Sequence, residues 1–241
     1  MQTRKILRNI LSTWVGYGLS LLAGFLLAPF IVHHLGNTGY GIWTLITSLT
    51  GYFGMLDLGL RQSVGRFVSR YMGLGDHENV NRTLVNALAM LATAGILAGG
   101  ITVTVALNFG LFKIEPQFAA AAKLALLIAG FNIALALPMS IFNTVLFSLE
   151  RFDILTAAAI FSTLTRTGLV ILFVNGGAGV VALAGITLIA SCIEFLTNAI
   201  AAKRLYRHFS LTPRLLSWRG CRELFGFGIF RFVWIVANQL I

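Results

Sequence analysis

Polar positions are rare in this chain, and they cluster between long apolar runs. The runs lie near residues 10–32, 40–60, 85–107, 120–147, 154–174 and 178–202, and a seventh begins near 224 and reaches Ile241. A membrane-crossing helix needs about 20 predominantly apolar residues at 1.5 Å rise each, and each of the first six runs meets that length. Only helices and closed barrels satisfy their backbone groups in lipid. Barrel strands are short and alternate polar with apolar residues, which these runs do not. The pattern therefore predicts an all-α integral membrane protein: a six-helix transmembrane lobe plus the start of a seventh helix. The first run is longer than the apolar part of a secretory signal, and no small-x-small cleavage site precedes a polar start.

Composition agrees, at 57% hydrophobic and only 11% charged residues with a mean hydropathy of +0.85. A soluble domain carries about 25% charged residues. The net charge of +10 would suggest nucleic acid in a soluble chain. Here most of it sits in the gaps between apolar runs, so no nucleic-acid partner is expected. Cys192 and Cys221 form neither a C-x-x-C nor a cluster with histidine, which indicates no zinc site and no disulfide framework. No metal, cofactor or catalytic nucleophile is expected.

Orientation follows from Lys and Arg in short loops. Thirteen of the 18 lie on one side: Arg4, Lys5 and Arg8 before the first span, then Arg66, Arg70 and Arg82, then Arg151, and six from Lys203 to Arg222. The opposite side has Lys113 and Lys123. This places the N-terminus in the cytoplasm of a multi-pass inner-membrane protein, with loops at 33–39, 108–119 and 175–177 outside. The domains read as 1–202, the six-helix lobe; 203–222, a basic amphipathic cytoplasmic linker; and 223–241, the start of a seventh helix. The last stretch ends without a helix stop signal and reads as truncated. A seven-span protein with an unanchored end is the alternative.

Four ionisable residues are stranded in the runs: Asp57, Arg61, Arg166 and Glu194. A charge at the bilayer centre costs roughly 2.5–3.5 kcal/mol on insertion scales, so such groups pair or face a wet cavity. Asp57 and Arg61, spaced i,i+4, can meet on one helix face near the inner mouth, as a local ion pair or as a gate. Arg166 and Glu194 lie on consecutive spans at depths that differ by roughly 6 Å, which an arginine side chain bridges. A structural pair is one expectation, and an Arg166 facing the cavity is the other. Guanidinium matches phosphate oxygens as a bidentate donor.

Several other features have plain readings. Tyr40 and Trp43 fit an interfacial aromatic belt, and His33 and His34 fit interfacial packing. Asn81-Arg82-Thr83 is a glycosylation sequon on the cytoplasmic side. Pro138, with Asn132 and Asn143 nearby, is expected to kink the fourth span. Residues 203–222 alternate basic and apolar side chains as an amphipathic helix on an anionic leaflet does.

The N-terminal third carries three clusters of residues. Arg8-Asn9 is followed by Ser12 and Trp14. Pro29, Ile31, Val32 and Leu35-Gly36 precede Tyr40-Gly41-Ile42-Trp43. Gly51-Tyr52-Phe53 leads into Leu56-Asp57-Leu58-Gly59-Leu60, with Ser63, Arg66 and Ser69 beyond; Leu224-Phe225-Gly226-Phe227-Gly228 follows much later. In these the chain resembles the oligosaccharide flippases of the MOP superfamily, the Wzx-type polysaccharide biosynthesis proteins. The resemblance implies a transporter of two six-helix lobes, of which this is the N-terminal one. The missing C-terminal lobe of the same protein, the membrane lipid and a lipid-linked oligosaccharide would be its partners. The implied activity is flipping undecaprenyl-diphosphate-linked oligosaccharide for surface polysaccharide biosynthesis, without enzyme chemistry. On this reading Arg166 and Arg61 contact the diphosphate, while Asp57 and Glu194 serve gating or ion coupling. Two alternatives stay open. A cation-coupled drug antiporter of the same superfamily would titrate Asp57 or Glu194. A membrane glycosyl- or phosphotransferase would use acids such as Asp76 and Glu78.

Overall fold

A computed structural model of the chain describes the backbone of residues 2–112, 114–174 and 179–239, with side chains between 13 and 229. Lys113, the expected outer loop at 175–177, the chain end at Ile241 and the side chains of Arg4, Lys5, Arg8 and Arg231 lie outside the described residues. The elements are α1 (Gln2–Phe53), α2 (Leu60–Gly73), α3 (His77–Leu107), α4 (Pro116–Ser148), α5 (Phe152–Val174), α6 (Val180–Leu205) and α7 (Trp218–Gln239). Among the described residues there is no strand.

Among the described residues, five helical stretches are long and apolar enough to cross a membrane, the first being Thr13–Asp57 at 45 residues. At 1.5 Å per residue that stretch would reach roughly 67 Å, twice a bilayer core. It folds back instead. Gly36 has φ 69° and ψ 173°, a region that essentially only glycine occupies. Before it, Leu27 and Ile31 pack with Val170 and Val174 at the end of α5. After it, Ile42 and Ile46 pack with Ala106, Phe109 and Ala122 at that same end of the bundle. Phe53 and Leu56 then meet Ala94, Ala98 and Leu137 at mid-bundle. Val64 and Val68 reach Val80, Leu84 and Val145 at the other end, where Arg70, Arg82, Arg151 and Lys203 collect. That other end is here termed the basic end. The first two expected spans are thus a hairpin.

The second span departs from expectation by being broken and longer. Residues Gly54–Asp57 form a 3-10 turn. Leu58 (φ 47°) and Gly59 (φ 73°) are both left-handed, and α2 resumes at Leu60. No i→i−4 ladder survives two consecutive left-handed residues, so the rod bends here. Because α2 continues to Gly73, Arg66 and Arg70 sit on a helix and not in a loop.

The kink expected at Pro138 does not appear as a break, because α4 runs as one helix from Pro116 to Ser148. Proline's missing N–H frees the carbonyl of residue i−4, here Ala134. A Cβ at Gly95 of α3 would lie 2.5 Å from that oxygen. The two backbones therefore touch where a side chain would separate them. Gly228 plays the same part on α7: a Cβ there would lie 2.9 Å from the Leu58 carbonyl oxygen.

The linker also differs from expectation. Residues between α6 and α7 are irregular apart from one 3-10 turn at Pro213–Leu215. They are not an amphipathic helix. Side chains of α3 hold this segment: Asn81 Nδ2 donates to His208 O at 2.8 Å and Asn81 Oδ1 accepts from Ser210 N–H at 3.1 Å. Asn86 Oδ1 accepts from Ser217 N–H at 2.8 Å. Backbone groups that would pair along a helix are thereby satisfied outside one. The sequon asparagine is a buried tether. Large apolar side chains such as Trp14, Leu21, Phe25, Phe131, Phe161 and Leu172 are exposed on the outside of the bundle, as a lipid-facing surface requires.

Candidate functional site

A cavity of about 620 Å³ opens at the basic end between α2, α4, α5 and α7. Arg61, Gln62, Gly65 and Arg66 line it from α2. Their spacing of i, i+1, i+4 and i+5 keeps them on one helix face, and that face exists only because α2 resumes as a helix after the break. Ser140, Asn143, Thr144 and Phe147 line it from α4, Leu155 from α5 and Phe227 from α7. The walls are thus cationic and amide on one part and apolar on another.

Most polar wall groups have a defined partner. Arg61 Nε lies 3.4 Å from Asp57 Oδ2, with the two side chains 45% and 22% exposed. Asp57 Oδ1 accepts the Gly59 N–H at 2.8 Å. The aspartate therefore holds the break closed and steadies the arginine. The expected meeting of Asp57 and Arg61 is present, but it spans a break and not a helical turn. Arg66 stacks over Phe227, 4.5 Å from the ring centroid, a cation–π contact. Ser140 Oγ donates to Leu137 O at 2.6 Å and Thr144 Oγ1 to Ser140 O at 3.1 Å, so both hydroxyl protons are committed to the backbone. Asn143 Oδ1 accepts from Asn198 Nδ2 at 2.9 Å, which leaves the Asn143 amide protons available. The donors facing the space are therefore mainly guanidinium and amide N–H, a set suited to anionic oxygens.

Arg166 and Glu194 are both half-buried, and neither lines this cavity. The expected ion pair between them does not form: among the described residues the ion pairs are Arg61–Asp57 and Arg151–Asp153. Ser162 takes the place beside the Glu194 carboxyl. Ser162 Oγ also donates to Ala190 O at 2.9 Å, which fixes the register of α5 against α6. Glu194 lies eleven residues before the end of α6 at Leu205 and Ser162 ten after the start of α5 at Phe152, so they share a level. Arg166 lies one helical turn deeper.

Sequence reasoning missed Arg66, which counted as a loop charge, and Phe227, which counted as a motif residue. The signal for Arg66 was its i+5 spacing from Arg61 with Gly65 between them. Asp76, a candidate acid of the transferase alternative, caps α3. Its Oδ1 accepts from Asn79 N–H at 3.1 Å and its Oδ2 from Asn79 Nδ2 at 2.6 Å. These bonds hold its carboxyl below the ordinary aspartate range.

A family described as polysaccharide biosynthesis protein matches residues 6–241. The chain belongs to that family. It is similar to the uncharacterized membrane protein EpsK of Bacillus subtilis (strain 168), with 28% identity over 244 residues that cover 96% of this chain and 46% of the relative. Its fold matches a MOP-superfamily transporter from Pyrococcus furiosus at a TM-score of 0.73 and 17% identity, over 95% of this chain and 52% of that one. It matches equally an outward-facing multidrug resistance MATE family transporter of that superfamily, at a TM-score of 0.73 and 19% identity, over 95% and 52%. The chain spans about half the length of the relatives it matches. This member of the polysaccharide biosynthesis family is thus an integral membrane protein with the helical fold of MOP-superfamily transporters.

Proposed function

We propose that the chain is the N-terminal lobe of a transporter that flips undecaprenyl-diphosphate-linked oligosaccharide across the inner membrane, with the basic end in the cytoplasm. The observation that carries this reading is a cavity lined both by the guanidiniums of Arg61 and Arg66 and by the apolar side chains of Phe147, Leu155 and Phe227. An amphiphile with an anionic head needs that division. The diphosphate meets the two guanidiniums at the inner mouth, and the lipid tail leaves along the apolar side. A C-terminal lobe of the same protein closes the other half of the path. The division into lobe, linker and seventh helix goes with this reading, with the limits moved from 202 and 223 to the end of α6 at Leu205 and the start of α7 at Trp218.

Arg166 is the deeper cationic station in this proposal. It lies eleven residues beyond Leu155, three helical turns, and so on the same face of α5 about 16 Å farther in. Among the described residues it has no ion-pair partner. Asp57 acts as the gate that positions Arg61. Glu194 serves ion coupling, connected to the cavity wall through Asn198, one turn along α6, and its bond to Asn143.

The test uses the whole protein in cells whose surface polysaccharide depends on it. Arg61→Ala with Arg66→Ala should abolish polysaccharide export while protein stays in the membrane. Arg61→Lys should keep part of it, since lysine retains charge and loses the fork. Normal export by a well-inserted double variant overturns the assignment. A coupled drug antiporter, whose case rests on Asp57 or Glu194, would instead tolerate the arginine changes and fail with Asp57→Asn or Glu194→Gln.

A further inference from the structure

A second cavity, of about 380 Å³, lies at the basic end across α2 from the first. Its volume falls in the range of small-ligand sites, roughly 300–1,000 Å³. On α3 the residues Asn79, Arg82, Thr83 and Asn86 face it with the i, i+3, i+4, i+7 spacing of one helix side. Phe67 and Tyr71 of α2 close it from below, and Ser217, Arg219 and Glu223 from the linker end and α7.

Several neutral polar groups of this wall are already bonded. Asn79 Nδ2 donates to Asp76, Thr83 Oγ1 to Asn79 O at 2.8 Å and Asn86 Nδ2 to Arg82 O at 2.8 Å. Ser217 Oγ accepts the Gly220 N–H at 3.1 Å. The guanidiniums of Arg82 and Arg219 differ. Among the described residues neither has a carboxylate within 4.0 Å. Glu223 is four residues after Arg219, the less favourable order for a helical ion pair, and it leaves Arg219 unneutralised. Two exposed guanidiniums therefore line one polar space from different helices without a carboxylate partner among the described residues.

We propose that this cavity is an anion site for a phosphate group, free or esterified, held between Arg82 of α3 and Arg219 of α7. Arginine's fork binds phosphate oxygens in bidentate fashion. A phosphate bridging these two residues ties α7 to the lobe through charge, in addition to the Asn86 tether. Inorganic phosphate and the phosphodiester head of an anionic phospholipid share this chemistry. Glu223 at the rim weakens the site for either.

The experiment uses the full chain purified in detergent and in bilayer discs, all in an Arg61→Gln, Arg66→Gln background that silences the first cavity. One arm titrates inorganic phosphate and follows its phosphorus resonance. The other compares thermal unfolding in phosphatidylcholine discs with and without phosphatidylglycerol. Binding in the first arm alone identifies free phosphate as the ligand, and stabilisation in the second alone identifies the lipid head. Whichever effect appears should weaken by roughly tenfold or more with Arg82→Gln plus Arg219→Gln and strengthen with Glu223→Gln. No effect in either arm overturns the proposal, and so does an effect that the two arginine changes leave intact. Should the arginine variant not fold, Glu223→Gln decides alone: unchanged binding overturns the site. The background keeps this outcome separate from the fate of the flippase assignment, which rests on the first cavity.

Discussion

Removing the Asp57 carboxylate tests what the break in the second span depends on. Asp57 makes two contacts of different kind. The Gly59 N–H donates to one oxygen at 2.8 Å, inside a segment where the helical ladder supplies no partner. The other oxygen faces Arg61 at 3.4 Å, and that arginine is 45% exposed. A hydrogen bond to a charged acceptor contributes about 1.5–3 kcal/mol, and an ordinary one about 0.5–1.5. An ion pair exposed to this degree is worth about 0–1 kcal/mol. Asp57→Ala forfeits both contacts and should cost about 2–4 kcal/mol. Asp57→Asn keeps an oxygen for Gly59 and should cost about half as much. Arg61→Ala, which removes the ion pair alone, should cost less than either. Thermal unfolding of the purified protein in one detergent ranks the three variants. Equal losses from Asp57→Ala and Asp57→Asn would mean that the charge, and not the backbone cap, holds the break, and the reasoning would fail.

Other outcomes follow from the same structure. Gly36→Val should cost about 1–3 kcal/mol, because its φ of 69° with ψ of 173° is strained for any side chain; a variant of unchanged stability would mean that the hairpin turns elsewhere. Asn86→Ala should free the linker and raise protease cleavage between 206 and 217, whereas Asn86→Asp, which keeps the acceptor for Ser217, should cleave less; equal cleavage of both refutes the tether. Glu194→Gln and Arg166→Gln should add within about 0.3–0.5 kcal/mol, since no contact joins them, and a large coupling energy would contradict the register of α5 on α6. The Asp76 carboxyl is held low by Asn79, so its cap on α3 contributes at neutral pH and is lost as pH falls through the folded value. Asp76→Asn should flatten that part of the acid limb in unfolding scans against pH, and an unaltered limb would refute it.

The crossings were legible because hydropathy reports burial in lipid directly. The reversal at Gly36 was legible too, since glycine and an aromatic flank mark a turn. The break at 54–59 was legible only in part, from glycines in the second span, Gly54 and Gly59 among them, that let a helix bend. Leu58 is apolar and leaves the run unbroken in composition, while its left-handed backbone depends on Asp57 and on neighbours from α3 and α4. The Arg166–Glu194 expectation failed although counting from span ends gave the depths correctly, about one helical turn apart: Ser162, level with Glu194, takes the place beside its carboxyl. The linker deceived because alternating basic and apolar residues mimic a surface helix, whereas two buried asparagines on α3 hold it open. The cavity itself needs residues 61 to 227 brought together, which no local window contains. Of its residues, Arg61 was recognised from its stranded charge, and Arg66 was hidden by the belief that the span had ended.

The seat of Gly228 against the Leu58 carbonyl has a mechanical consequence. With no side chain between them, the two backbones form a key and slot. Rotation of α7 about its own axis would swing a neighbouring bulky residue into the slot, so α7 turns only by pushing on Leu58. Leu58 stands in the one stretch of the second span that lacks a helical ladder and yields most easily. A twist arriving through the linker is therefore delivered to residues 54–59, and from there through Asp57 to the orientation of Arg61. The break in the second span is thus where torque on the last helix becomes movement of a cavity cation.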